Sequence, residues 1–266
     1  MGELKQLDLC SGTGSGFPLA ALRVGGFKLI GFSEINTHCS DILEKRFPGI
    51  PNFGNINEFA ITGGQCEQPD IITASPPCPP FSIQGKRLGA EDPRDCFPAV
   101  VRIIEKAQPG FLAIENVRGL LTCPLRPRAK ESYFGFLLSQ LSRCGYDVEW
   151  QVVSSGRCGA PFLRERLLLV GVSQRAVINR SESWAEQIRR EFNQAGRIAA
   201  WASHQPHFSR GIFRDSAGLD QPVGLPSGDR TIRRRREALG NALDPRVAAI
   251  ALRRIQYLHS IASIRA

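Results

Sequence analysis

Short apolar runs alternate with amphipathic stretches along most of this chain. The runs "LKQLDLC" (residues 4–10), "FKLIGFSE" (27–34), "PDIITAS" (69–75), "FLAIEN" (111–116), "YDVEWQVV" (146–153) and "RLLLVGV" (166–172) read as buried strands. The stretches between them carry helical spacing. "PLAALRVGG" (18–26) has Pro near its start and Gly at its end. "THCSDILEKRF" (37–47) puts Ile42, Leu43 and Phe47 on one side. "FPAVVRIIEKAQPG" (97–110) and "YFGFLLSQLSRCG" (133–145) read the same way. Strand and helix in alternation predict an α/β domain over residues 1–172, with a mostly parallel sheet covered on both faces.

After Val172 the pattern changes. In "SESWAEQIRREFNQAG" (181–196), Ser183 and Glu186 have capping-box spacing, and Trp184, Ile188 and Phe192 share a face. Residues 202–228 are rich in Gly, Pro, Ser and His without periodicity, and "RTIRRRRE" (230–237) is a charge run. "DPRVAAIALRRIQYLHSI" (244–261) reads as a helix capped by Asp244, with Pro245 in its first turn and Val247, Ile250, Ile255 and Leu258 inward. The expected division is therefore 1–172, a small irregular region at 173–236, and a C-terminal helix within 237–266 that returns to the first domain.

Composition narrows the classes. No run of apolar residues is long enough to span a bilayer, and the N-terminus enters a strand too soon for a secretory signal. The formal net charge of +9 leaves two readings open, a polyanionic partner such as nucleic acid and a surface with surplus arginine. The eight cysteines form no C-x-x-C pair and histidine is scarce, so no zinc-ligand spacing exists and no metal is expected. Without a secretory signal the thiols are expected reduced, most of them as small buried apolar residues.

Two places carry chemistry. Asp8 ends the first strand, and Gly12, Gly14 and Gly16 follow it. Glu34 ends the second strand. Glycines at the mouth of a helix admit a ligand to backbone amides, and an acid at the next strand end can accept both hydroxyls of a ribose. The loop alone does not choose between NAD and S-adenosylmethionine, nor between a cofactor site and a tight turn. The second place is "SPPCPPFSIQGKR" (75–87), where four prolines frame Cys78 just past the third strand. Prolines fix φ, and a stiff loop positions a nucleophile with little entropy left to lose. Glu115 ends the next strand at the same sheet edge and completes an acid–nucleophile pair.

"DLCSGTGSGF", "SPPCPPFSIQGKR", "ENV", "RER" ahead of "LLLVGV", and "ALGNALDP" occur in that order. The set resembles the bacterial and phage cytosine-5 DNA methyltransferases, over nearly the whole chain apart from residues 173–229. The resemblance implies a Rossmann-like S-adenosylmethionine-dependent sheet with a small target-recognition region. Cys78 would add to C6 of a flipped cytosine, Glu115 would donate to N3, and Arg164 and Arg166 would hold the base and its backbone. It implies cofactor contacts at Asp8, Gly12, Gly14, Phe17, Glu34, Asn55, Ile56, Pro77, Asn241 and Ala242. It implies DNA contacts at Ser82, Gln84, Lys86 and Arg87. The arginine run, represented by Arg230 and Arg233, reads either as phosphate contact or as a solvated helix face. Phe162 stands where the family has Gln, Asn55 where it has an acid, and the glycine loop is one residue longer. The expected partner is double-stranded DNA and no membrane. The expected protein is a monomer acting in the bacterial cytoplasm on the nucleoid, bacterial or phage-encoded, of the restriction-modification kind. Methylation of tRNA, and binding of cofactor and DNA with weak turnover, stand as alternatives. Ser82 replaces the Thr of the tRNA-modifying branch, and a thiol at position 78 does not serve amino-methylation, which stacks its base on an aromatic there.

Overall fold

The computed structural model describes residues 2–61, 66–160, 163–178, 182–195, 212–214, 220–222 and 243–264. Its centre is a six-stranded sheet in the order β2-β1-β3-β4-β6-β5, formed by β1 (Leu4–Leu9), β2 (Phe27–Ser33), β3 (Ile71–Ala74), β4 (Phe111–Val117), β5 (Tyr146–Ser154) and β6 (Glu165–Ser173). β2, β1, β3 and β4 run parallel. β6 is wedged between β4 and β5 and runs antiparallel to both. An apolar run has no direction, so the sequence pattern could place this strand but not orient it. Five strands point the same way, and their carboxyl ends share one edge.

Apart from the edge strand β5, the strands are mostly buried on both faces, and consecutive residues feed opposite cores. In β4, Leu112 and Ile114 face one core while Phe111 and Ala113 face the other. The first core is closed by α3 (Phe97–Ala107) and α4 (Tyr133–Arg143), through residues such as Ile103, Ile104, Leu137 and Leu141. The second is closed by α1 (Phe17–Val24), α5 (Trp184–Ala195) and α6 (Pro245–Ile261). α2 (Thr37–Arg46) packs Leu43 and the adjoining Phe47 on Leu29 and Phe32 of β2. Two further short strands, β7 (Ala176–Val177) and β10 (Ser263–Ile264), pair antiparallel beside this body. β8 (Ile212–Arg214) and β9 (Asp220–Pro222) pair with each other.

The end signals read from the sequence operate here. Ser183 and Glu186 close a reciprocal capping box, with Glu186 N–H to Ser183 Oγ at 3.2 Å and Ser183 N–H to Glu186 Oε2 at 3.2 Å. Asp244 caps α6 by accepting Arg246 N–H at 2.9 Å. α6 packs on the sheet with Val247, Ile250, Ile255 and Leu258 buried in the second core. α5, the stretch read from its capping-box spacing, packs Trp184 and Ile188 into the second core. One buried cation ties these pieces together. Arg254 of α6 makes a two-pronged pair with Glu149 of β5, at 2.5 and 3.0 Å. It also donates to Glu182 O at 2.9 Å and Gln187 Oε1 at 3.2 Å. The expectation that most cysteines are buried needs correction. Cys39 and Cys123 are buried, whereas the other six are only partly so, because they sit at element ends and in loops rather than at core centres.

Candidate active site

Cys78 lies four residues past β3, and Glu115 sits near the end of β4, the strand beside it. Ala74 pairs with Ile114, so the proline loop leaves the sheet where Glu115 stands. Asn116 fastens the two: its Nδ2 donates to Pro76 O at 3.2 Å. The loop is then anchored by Phe81, which is fully buried with its ring 4.6 Å from that of Tyr133 and 5.5 Å from that of Phe97. Cys78 O accepts both Phe81 N–H at 2.9 Å and Ser82 N–H at 3.0 Å. Gly89 N–H reaches Pro80 O at 3.3 Å and closes the loop at its base. Between those anchors Ile83, Gln84, Gly85 and Lys86 are exposed, Ile83 to 70%.

Arg166 comes from the antiparallel β6. It stands opposite Val117, two residues beyond Glu115, so the pleat sends both side chains to the same face. Arg166 Nε lies 2.7 Å from Glu115 Oε1. Both are buried, at 9% and 5% exposure, and the contact is an ion pair rather than an aligned hydrogen bond. Arg164, half-buried on the segment leading into β6, interacts electrostatically with Arg166, Glu115 and Cys78. Burial pushes the Glu115 carboxyl above the usual carboxylate range, and the two arginines pull it part of the way back. Burial also pushes the Cys78 thiol up, the Glu115 charge pushes it further, and Arg166 and Arg164 oppose both. These shifts are linked. A proton on Glu115 removes the negative charge that holds the thiol up, so a neutral Glu115 and an ionised Cys78 favour each other.

At the same edge, the glycine loop divides its labour. A Cβ on Gly12 would meet nothing within 4 Å, and its φ of +55° suits glycine, so its backbone is open to a ligand. Gly14 serves packing instead, since a Cβ there would sit 2.5 Å from the Phe47 ring. Glu34 is held ready. Its Oε2 accepts Gly12 N–H and its Oε1 accepts Asn36 N–H, both at 2.7 Å. A carboxylate has about four acceptor sites, and the amides of Gly12, Asn36 and Ile35 do not fill them all, so it can still accept a hydroxyl. Beside it Ile35 is 69% exposed at the strand end, an apolar wall for a flat ring that sequence reasoning passed over. Its signal was an isoleucine just past the acid, where the strand pattern had ended.

Other expected residues are placed differently. Asp8 is turned inward beneath the loop, where Thr73 Oγ1 donates to its Oδ1 at 2.5 Å and burial raises its pKa to about 7. Cross-strand pairing of Asp8 with Thr73 dictates that bond. Phe17 and Ile56 bury their side chains in the two cores, which leaves only their backbone for a cofactor. Asn55 is drawn into its own turn, with Nδ2 donating to Glu58 Oε1 at 2.6 Å and Oδ1 accepting Asn57 N–H at 3.1 Å. Pro77 stays half-buried beside Cys78, and Ser82 Oγ accepts Gln84 N–H at 3.3 Å. Arg87, expected on DNA, has a φ of +53°, and its Nη2 donates to Thr122 Oγ1 at 2.9 Å and Gly119 O at 3.3 Å. Asn241, Ala242, Arg230, Arg233 and Phe162 lie outside the described residues.

A sheet with a glycine-loop ligand edge and a proline-framed thiol beside a buried acid and two arginines defines a class of nucleoside-cofactor α/β proteins built around a cysteine. Residues 4–212 match the family of C-5 cytosine-specific DNA methylases, and the chain belongs to that family. It is 30% identical over 199 residues to the orphan methyltransferase M.SPRI of Bacillus phage SPR, covering 72% of this chain and 42% of that protein. It is 35% identical over 170 residues to the type II methyltransferase M.NgoBI of Neisseria gonorrhoeae, covering 64% of this chain and 50% of that one. The chain thus spans about half the length of the curated relatives it matches. Among solved structures, the Entamoeba histolytica methyltransferase EhMeth shares the fold, with a TM-score of 0.60 at 16% identity over 98% of this chain and 99% of that one. A Spodoptera frugiperda DNMT2 variant gives 0.59 at 14% identity, over 97% and 100% of the two chains. Among the described residues no helix is long and apolar enough to cross a membrane, and no group of three His, Cys, Asp or Glu could hold a metal.

Proposed function

We propose that this protein methylates C5 of cytosine in double-stranded DNA, with Cys78 as nucleophile and S-adenosylmethionine as methyl donor. The observation that carries the reading is the Cys78 thiol within electrostatic reach of the buried Glu115–Arg166 pair. Cytosine C5 is a weak nucleophile until a bond forms at C6. The target leaves the base stack, because C6 cannot be attacked inside a duplex. Cys78 Sγ, as thiolate, bonds to C6, and the ring electrons are taken up at N3 as Glu115 gives it a proton. Burial raises the pKa of Glu115 and so favours its protonated form, and that proton also lowers the barrier to ionising the thiol. Arg166 then faces a newly formed carboxylate, which it stabilises at 2.7 Å. Bound S-adenosylmethionine supplies an electrophilic methyl group to the activated C5. A base removes the C5 proton, the C6–S bond breaks so that Cys78 returns as thiolate, and the N3 proton goes back to the Glu115 carboxylate.

The cofactor side fits this reading through Gly12, Glu34 and Ile35, which offer an open glycine face, a carboxylate with acceptor capacity left and an apolar wall at one strand edge. The test is direct. Purified protein is incubated with S-adenosylmethionine and mixed-sequence duplex DNA, and the digest is searched for 5-methylcytosine by mass spectrometry. The expected outcome is 5-methylcytosine from the natural chain and none from Cys78→Ala, with cofactor binding retained in the variant. Methylation by Cys78→Ala would sink the covalent mechanism. Product on tRNA but not on DNA would move the activity to RNA.

A further inference from the structure

Beyond the thiol loop, the chain between β4 and α4 builds a small basic hairpin that the proposed reaction does not use. Residues 123–133 fold back on themselves. Leu125 N–H donates to Glu131 O at 2.8 Å, Tyr133 N–H to Cys123 O at 2.8 Å, and Pro124 pairs with Ser132. Ala129 N–H to Arg126 O at 2.9 Å closes the tip, and Arg128 sits there with φ at +67°. This turn presents Arg126, Arg128 and Lys130, all exposed, against a single carboxylate, Glu131. Among the described residues none of the three cations makes an ion pair.

The hairpin stem is fused to the base of the Cys78 loop. Ala90 N–H donates to Leu125 O at 2.9 Å, and Cys123 Sγ lies 3.8 Å from Pro80 O. Gly89 is pressed so close that a Cβ would stand 2.6 Å from both Pro124 O and Leu125 O. Arg87 adds its bonds to Gly119 and Thr122 just before the stem. So three uncompensated cations ride on the same rigid unit as the nucleophile. Pro124 and Pro127 stiffen the hairpin, so little ordering entropy is lost when it meets a partner. Surface charge is ordinarily mixed. An unpaired basic cluster rigidly coupled to a nucleophile that acts on a nucleic-acid base has one fitting ligand chemistry, the phosphodiester backbone.

We infer that the hairpin at Arg126, Arg128 and Lys130 is a DNA-phosphate site that grips the duplex from the catalytic side and sets the register of the Cys78 loop on it. The inference rests on the proposed DNA reaction. The arginine run at 230–236 is separate in sequence and is not needed for it.

The test measures duplex binding by fluorescence anisotropy against salt, in the presence of the cofactor product S-adenosylhomocysteine. Neutralising all three (Arg126→Gln, Arg128→Gln, Lys130→Gln) should make the slope of log K against log salt shallower by about 0.9 for each phosphate that no longer meets a cation. If each of the three cations holds one phosphate, affinity in the neutralised variant would fall about forty-fold less between 50 and 200 mM salt than it does for the natural chain. A charge-retaining variant (Arg126→Lys, Arg128→Lys, Lys130→Arg) should keep the slope. Removing two exposed cations at the far edge of the sheet (Lys106→Gln, Arg143→Gln) should leave it nearly unchanged. Retained S-adenosylhomocysteine binding shows that each variant is folded. An unchanged slope in the neutralised variant, while the natural chain binds and methylates DNA, overturns this site alone. An equal drop from the far-edge variant makes it a net-charge effect and also overturns it. Should the natural chain bind tRNA and not duplex DNA, both this assignment and the DNA reaction fall.

Discussion

Replacing Arg166 by Met tests the electrostatics at the centre of the site. Methionine keeps most of the apolar stem and removes only the guanidinium. Glu115 then loses its 2.7 Å partner while remaining 5% exposed. Breaking a buried pair this way costs about 3–5 kcal/mol if the remaining charge stays. Glu115 has an escape, because burial already holds its pKa up and Arg166 is the largest influence pulling it down. Without Arg166 the carboxyl titrates at higher pH still. A group whose folded pKa is raised contributes stability that is lost as pH climbs toward that folded value. Natural chain and variant should therefore have similar stability at pH values where both hold Glu115 protonated. Their difference should grow by about 1.4 kcal/mol per pH unit through the window between the two folded pKa values. Above the variant's value it should level off. Urea unfolding at half-unit steps from pH 5 to 9 reads this out. A difference that stays flat across the range would refute the claim that Arg166 stabilises an ionised Glu115.

Two further expectations concern neighbouring groups. Glu115→Gln should lower the Cys78 pKa by removing the carboxylate charge that pushes it up, so alkylation of Cys78 by iodoacetamide at pH 7.5 should quicken several-fold. Peptide mass mapping separates it from the other seven cysteines, and slower alkylation would contradict the coupling. Gly14→Ala should destabilise the fold by roughly 1–3 kcal/mol, because its φ of +72° and the Phe47 ring 2.5 Å away both resist a methyl group. Gly12→Ala meets only the φ penalty, on the order of 1 kcal/mol, yet should weaken S-adenosylmethionine binding more than Gly14→Ala does, as calorimetry would show.

Much of this site was legible from strand ends alone. Cys78 and Glu115 each follow an apolar run, and parallel strands deliver their ends to a common edge. Arg166 was harder, because its approach to Glu115 depends on β6 running backwards between β4 and β5, and no residue in "RLLLVGV" announces a direction. Gly14 reads from the sequence as a ligand glycine, and the packing that also demands it there was hidden, since the Phe47 ring lies 33 positions away. Arg87 looked like one more loop cation, and only a positive φ turns it onto Thr122. Arg254 belonged to an ordinary "RR" pair in an apolar helix. Its partners come from β5 and from the lead into α5, so nothing local marked it as buried.

That Arg254 clamp bears on how such a chain changes over evolutionary time. It fastens the start of α5 to β5 and α6, while Leu243 and Asp244 seat the incoming end of α6 on the sheet. The chain thus departs from the catalytic body and rejoins it at two posts, and among the described residues each is held by contacts from outside residues 196–242. A substitution, insertion or wholesale exchange within that stretch leaves those contacts in place. The expected result is a chassis in which the chemistry is inherited and the segment between the posts is free to diverge.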